Sequence, residues 1–306
     1  LDAGCAQATG AAVDPRPRAL RRFVAPAGPP PNRRTPGPAP QWRFTMSEGA
    51  AIEPQAHEFY TRTLQVLDGS GIPFLVGGAY AFARYTGIER HTKDLDLFVL
   101  PEDARATLDA LAAAGFSCDM TFPHWLGKAH CGEDFVDVIF SSGNAVARVD
   151  ERWFLHARRD RVLGQEVLLV PPEEMVWSKA FIMERERFDG ADVAHVLRAC
   201  GGRLDWTRLL GRFGEHHRVL LAHLILFGFI YPGERGKVPS ELLNGLLERV
   251  RRESPGDEDM CLGTLLSRQQ YLTDIGRWEL ADARLIGGWM SREDIAHWTA
   301  AIDAHR

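Results

Sequence analysis

The chain has 306 residues, 45% of them hydrophobic and 25% charged, the usual balance for one large or two ordinary globular domains with a proper core. Its net charge of −5 gives no average signal for duplex DNA binding. Its five cysteines (Cys5, Cys118, Cys131, Cys200, Cys261) are scattered with no C-x-x-C pair, and an odd, unclustered count reads as reduced thiols rather than as a disulfide framework or zinc site.

Residues 1–45 differ from the rest. They carry seven Arg, two Asp and nine of the 18 prolines, for a net charge of +5. Such a segment buries too little apolar surface to offset its ordering entropy, so disorder is expected. The first methionine is Met46, and the expectation is that the functional protein begins there. A basic RNA-binding arm and a transit peptide are the other readings of this segment. No continuous apolar stretch follows a basic start, so the expected location is the cytoplasm.

From Met46 the periodicity becomes regular. Phe59, Thr63, Val66 and Leu67 share a face of a helix over 57–68. A strand at 72–76 runs into Gly77-Gly78, and a helix follows over 79–85. Residues 94–100 alternate as a strand. A helix over 101–114 stops at Gly115. Further strands are expected at 116–122, 125–131, 135–140 and 166–170. Pro171-Pro172-Glu173-Glu174 has proline and acids where a helix start favours them. Only helices are expected beyond it, at 173–188, 191–200, 206–213, 217–230, 240–252 and onward. The domain boundary is therefore placed at 171, giving an α/β (α+β) mixed-sheet domain at 46–171 and an all-helical domain at 172–306. The apolar run 219–231 is too short for a bilayer, which needs about 20 residues, and reads as a core helix.

The chemistry concentrates in Phe74-Leu-Val-Gly77-Gly78-Ala-Tyr-Ala and Thr92-Lys93-Asp94-Leu95-Asp96-Leu97-Phe98-Val99. Two glycines between strand and helix let a phosphate approach backbone N–H groups at a helix N-terminus. That signal alone is weak. Strand alternation then puts Asp94 and Asp96 on one face, with Leu95 and Leu97 on the other. Adjacent carboxylates on an otherwise apolar strand are costly without a cation, and hard divalent ions take carboxylate and phosphate oxygens together. Asp137 interrupts a third apolar strand, Phe135-Val-Asp137-Val-Ile-Phe140, and completes a candidate two-metal arrangement.

This order of strand, Gly-Gly, short helix and Asp-x-Asp resembles the DNA polymerase β-like nucleotidyltransferase superfamily. Within it the pattern is most similar to the small bacterial branch of antibiotic adenylyltransferases and abortive-infection toxins. The resemblance covers about 72–140 well and 171–197 more loosely. It implies a nucleotidyltransferase fold, an NTP substrate such as ATP, and Mg²⁺ or Mn²⁺ as cofactor. By the same likeness Gly77 and Gly78 hold the triphosphate, Asp94 and Asp96 bind metal, and Asp137 completes the metal site and helps deprotonate the acceptor hydroxyl. Members often carry Ser where this chain has Gly78. Toxin-type relatives place a lysine on the first helix after the sheet, which implies that Lys179 meets the nucleotide phosphates. Asp189 and Asp192 read as capping or ion-pair residues in preference to catalytic ones. Arg90 and Lys93 flank the carboxylate strand and meet either phosphate or solvent, and Lys93 counts among the nucleotide-binding candidates.

His216, His217 and His223 lack acids at ligand spacing and read as core or surface histidines. His124 and Trp125 either line an acceptor pocket or simply pack. The expected activity is transfer of a nucleoside monophosphate from an NTP to a hydroxyl acceptor, releasing pyrophosphate. The acceptor is a small molecule, a protein or tRNA, with no membrane partner. The rival readings are a toxin-type enzyme acting on tRNA, against which the acidic body weighs, and a silent nucleotide-binding scaffold.

Overall fold

The computed structural model describes residues 54–301 apart from His91, Lys93 and Asp257. The expected disordered segment 1–45 and the candidate Lys93 therefore lie outside the described residues. The elements in chain order are α1 (Pro54–Ser70), β1 (Leu75–Val76), α2 (Gly78–Thr86), β2 (Asp94–Phe98), α3 (Ala104–Ala113), β3 (Ser117–Phe122), β4 (Leu126–Cys131), β5 (Asp134–Ile139) and α4 (Glu151–Leu155). They continue with β6 (Arg158–Val162), β7 (Gln165–Leu169), α5 (Pro172–Ala180), α6 (Gly190–Cys200), α7 (Trp206–Phe213), α8 (His217–Ile230) and α9 (Ser240–Arg252). The last are β8 (Met260–Cys261), α10 (Leu272–Gly276), β9 (Ala281–Asp282) and α11 (Arg292–Ala300).

The first seven strands form one mixed sheet in the order β3-β4-β5-β2-β1-β7-β6. β2 is parallel to β5 and β1 to β7, and the remaining pairs are antiparallel. Alternation along β2 sends Leu95 and Leu97 into the core, where neither is exposed. Leu97 stands opposite Val138, which stands opposite Gly127, and Leu108 of α3 lies against Gly127. The absence of a side chain at Gly127 is what lets α3 sit so close: a Cβ there would come within 2.7 Å of Leu108. The opposite face carries Asp94, Asp96 and Phe98, and Phe98 stacks on Trp153 of α4 at 5.4 Å. Trp153 in turn meets Trp177 of α5.

The expected helices over 206–213, 217–230 and 240–252 form as α7, α8 and α9. A single hydrophobic core runs from the sheet through these helices, joining Leu95 and Val138 to Val193, Leu224 and Leu246. Charges also cross this core. Glu173 and Glu174 at the start of α5 are buried and bind Arg208 and Arg212 of α7, and Arg212 reaches Asp150 at 2.6 Å. Three expectations change in detail. Helix α5 ends at Ala180, not near 188, because Met183 and Phe188 pair across a turn and Asp189 N–H donates to Ile182 O. The charged run 184–187 has no apolar stripe with which to continue a buried helix. α4 and β6 were not anticipated. Among the described residues the C-terminal part holds, besides its helices, the short parallel pair β8–β9 and the Met183–Phe188 bridge.

Candidate active site

Asp94 and Asp96 project from β2 on its non-core face, and the parallel ladder places Asp137 of β5 directly opposite Asp96. One ligand oxygen from each lies within 4.8 Å of the others, so the three expected acids do converge. Burial, then the charges of Asp94 and Asp137, push Asp96 up to about 7, although Lys179 and Arg187 pull against the shift. Thr92 donates its hydroxyl to the Asp94 carboxylate. Asp137 is raised by burial and held back by Lys128, whose Nζ lies 2.5 Å from Asp137 Oδ1.

The Gly77-Gly78 turn lies against these acids. Gly77 N–H donates to the Asp96 carbonyl at 2.9 Å, and α2 begins at Gly78. Gly78 has φ of 51°, and a Cβ on it would fall 1.5 Å from Asp96 Oδ2. No side chain fits between that backbone and the carboxylate. The first N–H groups of a helix have no partner within it, so this end of α2 presents donors and a positive dipole beside the acids.

The cations form a second tier. Lys179 Nζ lies 2.7 Å from Asp189 and 2.9 Å from Asp192. Arg187 binds Asp189 through two nitrogens at 2.8 and 2.9 Å, and Arg90 binds Asp192 at 2.6 Å while lying over the Phe82 ring. Burial alone would raise Asp189, but Arg187 and Lys179 outweigh it and bring it to about 2. Asp189 stands at the N-cap position of α6 without a side-chain capping bond, so its role is the ion pair. Lys179 is thus neither solvated nor a bare charge, and Arg90 is paired as well.

Of these residues all but Gly77 and Lys128 line one cleft of about 520 Å³. Trp125, Trp298, Arg268 and the segment 141–144 also line it. Trp125 stacks on Phe122 at 5.7 Å, and His124 Nε2 lies 3.1 Å from the Gly143 carbonyl. His216, His217 and His223 do not line the cleft. His223 is buried with Nε2 2.8 Å from the Ala180 carbonyl, and His217 lies 2.8 Å from Glu253. Cys118, Cys131, Cys200 and Cys261 are free thiols. Sequence reasoning missed Lys128, Thr92, Arg268 and Trp298. Lys128 had a readable signal: it is the fourth residue before the two-residue turn Gly132-Glu133, and Asp137 is the fourth after it.

No family model matches the chain, and no curated protein matches it. Solved structures that align with part of it include the antibiotic-resistance factor ANT(2'')-Ia, at 16% identity over 55% of this chain and 96% of that one, with a TM-score of 0.40. Another is the lincosamide antibiotic adenylyltransferase LnuA in its lincomycin-bound crystal structure, at 12% identity, 46% and 94% coverage and a TM-score of 0.34. A third is an antigenic nucleotidyltransferase-like protein from Paracoccidioides brasiliensis, at 16% identity, 62% and 96% coverage and a TM-score of 0.43.

Proposed function

We propose that this chain is a metal-dependent nucleotidyltransferase that moves a nucleoside monophosphate from an NTP to a hydroxyl acceptor and releases pyrophosphate. One observation carries the reading: Asp94, Asp96 and Asp137 meet at the foot of the glycine-started helix α2, with Gly78 backbone against the Asp96 carboxylate. The donor set fits a divalent ion such as Mg²⁺ or Mn²⁺. It is all oxygen, as hard cations require, and burial, then the charges of Asp94 and Asp137, raise Asp96 to about 7. When bound, the metal neutralises charge on the phosphates and on the leaving oxygen.

The protein's own groups do the rest. Backbone N–H groups at Gly78 and Ala79 receive phosphate oxygens at the start of α2. Lys179 and Arg187 stand on the cleft wall as cations that can turn from Asp189 toward the triphosphate. Asp137 takes the proton of the acceptor hydroxyl at Oδ2, since Lys128 occupies Oδ1. The acceptor oxygen forms its bond to the α-phosphorus as the bond from that phosphorus to pyrophosphate breaks.

The test is incubation of the full chain with each α-labelled NTP, Mg²⁺ or Mn²⁺ and a cell extract. The expected result is label transferred to an acceptor by the wild type and not by Asp96→Asn. If no NTP gives a labelled product and none binds, the chain is a scaffold and the reading fails.

A further inference from the structure

The third carboxylate of the cluster already has a cation. Lys128 of β4 is in register with Asp137 of β5 in an antiparallel ladder, so the two side chains rise from the same face of the sheet as direct neighbours. The Lys128 Nζ lies 2.5 Å from Asp137 Oδ1 and 3.9 Å from the centre of the Phe135 ring, which flanks the ammonium on a second side. Neither partner is free in solvent: the side chains are 22% and 14% exposed. Asp94 is held differently, by an uncharged hydroxyl from Thr92.

We infer that Lys128 is a built-in counter-cation that occupies the Asp137 end of the acid cluster, so that the protein without nucleotide binds one divalent ion, between Asp94 and Asp96. This inference rests on the metal-dependent reading above. The reasoning is geometric. A divalent ion bound to Asp137 Oδ1 would sit about 2.1 Å from that oxygen. The ammonium already holds that oxygen, and an ion on Oδ2 would share the same carboxylate with it, so either way ion and ammonium would be close like charges in a partly buried site. At the other end of the cluster no ion pair to Asp94 or Asp96 forms among the described residues, although the charges of Lys179 and Arg187 reach Asp96: the two acids sit two residues apart on one strand face, beside neutral Thr92 and the glycine turn. The lysine therefore sets how many ions the resting cluster takes, and a second ion requires the ammonium to leave Asp137.

The experiment counts Mn²⁺ on the full chain by electron paramagnetic resonance, without nucleotide, for wild type, Lys128→Met and Lys128→Arg. The expected result is one tight Mn²⁺ per wild-type chain, two for Lys128→Met, and one for Lys128→Arg, which keeps the charge. Two tight ions on the wild type, or a second ion gained equally by Lys128→Arg, would overturn the role of Lys128 while leaving the metal reading intact. No tight ion on any of the three proteins would instead remove the metal reading on which it rests. One tight ion on a folded Lys128→Met would overturn the role of Lys128 as well, and Lys128→Gln gives the same reading should Lys128→Met not fold.

Discussion

At Gly78 two constraints coincide, a φ of 51° and a Cβ position 1.5 Å from Asp96 Oδ2. The resemblance described from the sequence associates serine with this position, and the structure gives the physical reason this chain departs from it. Gly78→Ala must either move the carboxylate or the start of α2, besides the strain of a left-handed conformation, about 1–2 kcal/mol. The expected outcome is a folded protein with a lower melting temperature and Mn²⁺ affinity reduced at least tenfold, read by calorimetry and metal titration. Unchanged affinity would separate the glycine turn from the metal site.

The acids themselves behave oppositely to structural acids. Asp94→Asn, Asp96→Asn or Asp137→Asn is expected to abolish transfer, because the amide keeps the shape and loses the charge. Asp96→Asn is expected to leave the metal-free fold as stable as wild type or more so, since it relieves repulsion from Asp94 and Asp137. Mg²⁺ with NTP should raise the melting temperature of the wild type, by about 2.7 kcal/mol of added stability at a hundredfold excess over Kd, and the rise should vanish in Asp96→Asn. Early melting of the Asn variants would reassign the cluster to structure. These three acids were legible because strand alternation fixes which residues share a face. The pairing of Lys179 was not, because Asp189 and Asp192 reach it only through the turn at 183–188. Lys179→Ala, which from sequence alone would leave the fold intact, is now expected to weaken both NTP binding and the fold.

Among the elements, the amphipathic helices α7 and α9 were readable from periodicity, and the apolar run 219–231 gave most of α8. β6 was not, because its sequence Arg158-Arg-Asp-Arg-Val shows little apolar alternation: it is an edge strand, and edges favour charge. The join between α5 and α7 was equally invisible, since nothing local pairs Glu174 with Arg208 and Arg212 across more than thirty residues. In the fold those charges are buried, with Arg212 7% and Glu174 0% exposed. Removing one partner of a buried network leaves the other uncompensated. Arg212→Ala is therefore expected to lower the free energy of unfolding by about 3 kcal/mol in urea titration. The same variant should keep the wild-type Mn²⁺ count, which separates this network from the acid cluster. A variant as stable as wild type would show that Arg208 alone satisfies both acids.

For the molecule as a whole, acid sensitivity should come from buried histidines that do not line the cleft as well as from carboxylates. Burial lowers His223 and His216 below their usual 6.5. A histidine kept neutral in the fold takes up its proton more readily when unfolded, so this contribution is full above about pH 6.5 and is lost as the pH falls toward the depressed folded value. His223→Gln can still donate to the Ala180 carbonyl but cannot titrate. Its unfolding free energy is expected to fall less steeply than that of wild type between about pH 7 and about pH 5. Parallel curves would mean that His223 adds nothing to the acid response. Among the described residues no helix is long and apolar enough to cross a membrane; of the run read as a core helix, Leu220, Leu224 and Phe227 are buried, whereas Ile225, Leu226, Phe229 and Ile230 are exposed.

The two-residue turn Gly132-Glu133 joins Cys131 to Asp134, and it works as a ruler for the cleft. Counting outward three places on each strand lands on Lys128 and Asp137, and one further ladder step reaches Asp96. A single inserted residue that slipped this hairpin would set a valine opposite Lys128 and turn Asp137 toward the core side of the sheet. The turn between β6 and β7 has the same length, with Leu163 and Gly164 both at positive φ, yet neither strand carries a cleft acid. Length changes at these two similar hairpins should therefore have different fates in a selection for activity: tolerated at 163–164 and eliminated at 132–133, where chain length is part of the chemistry.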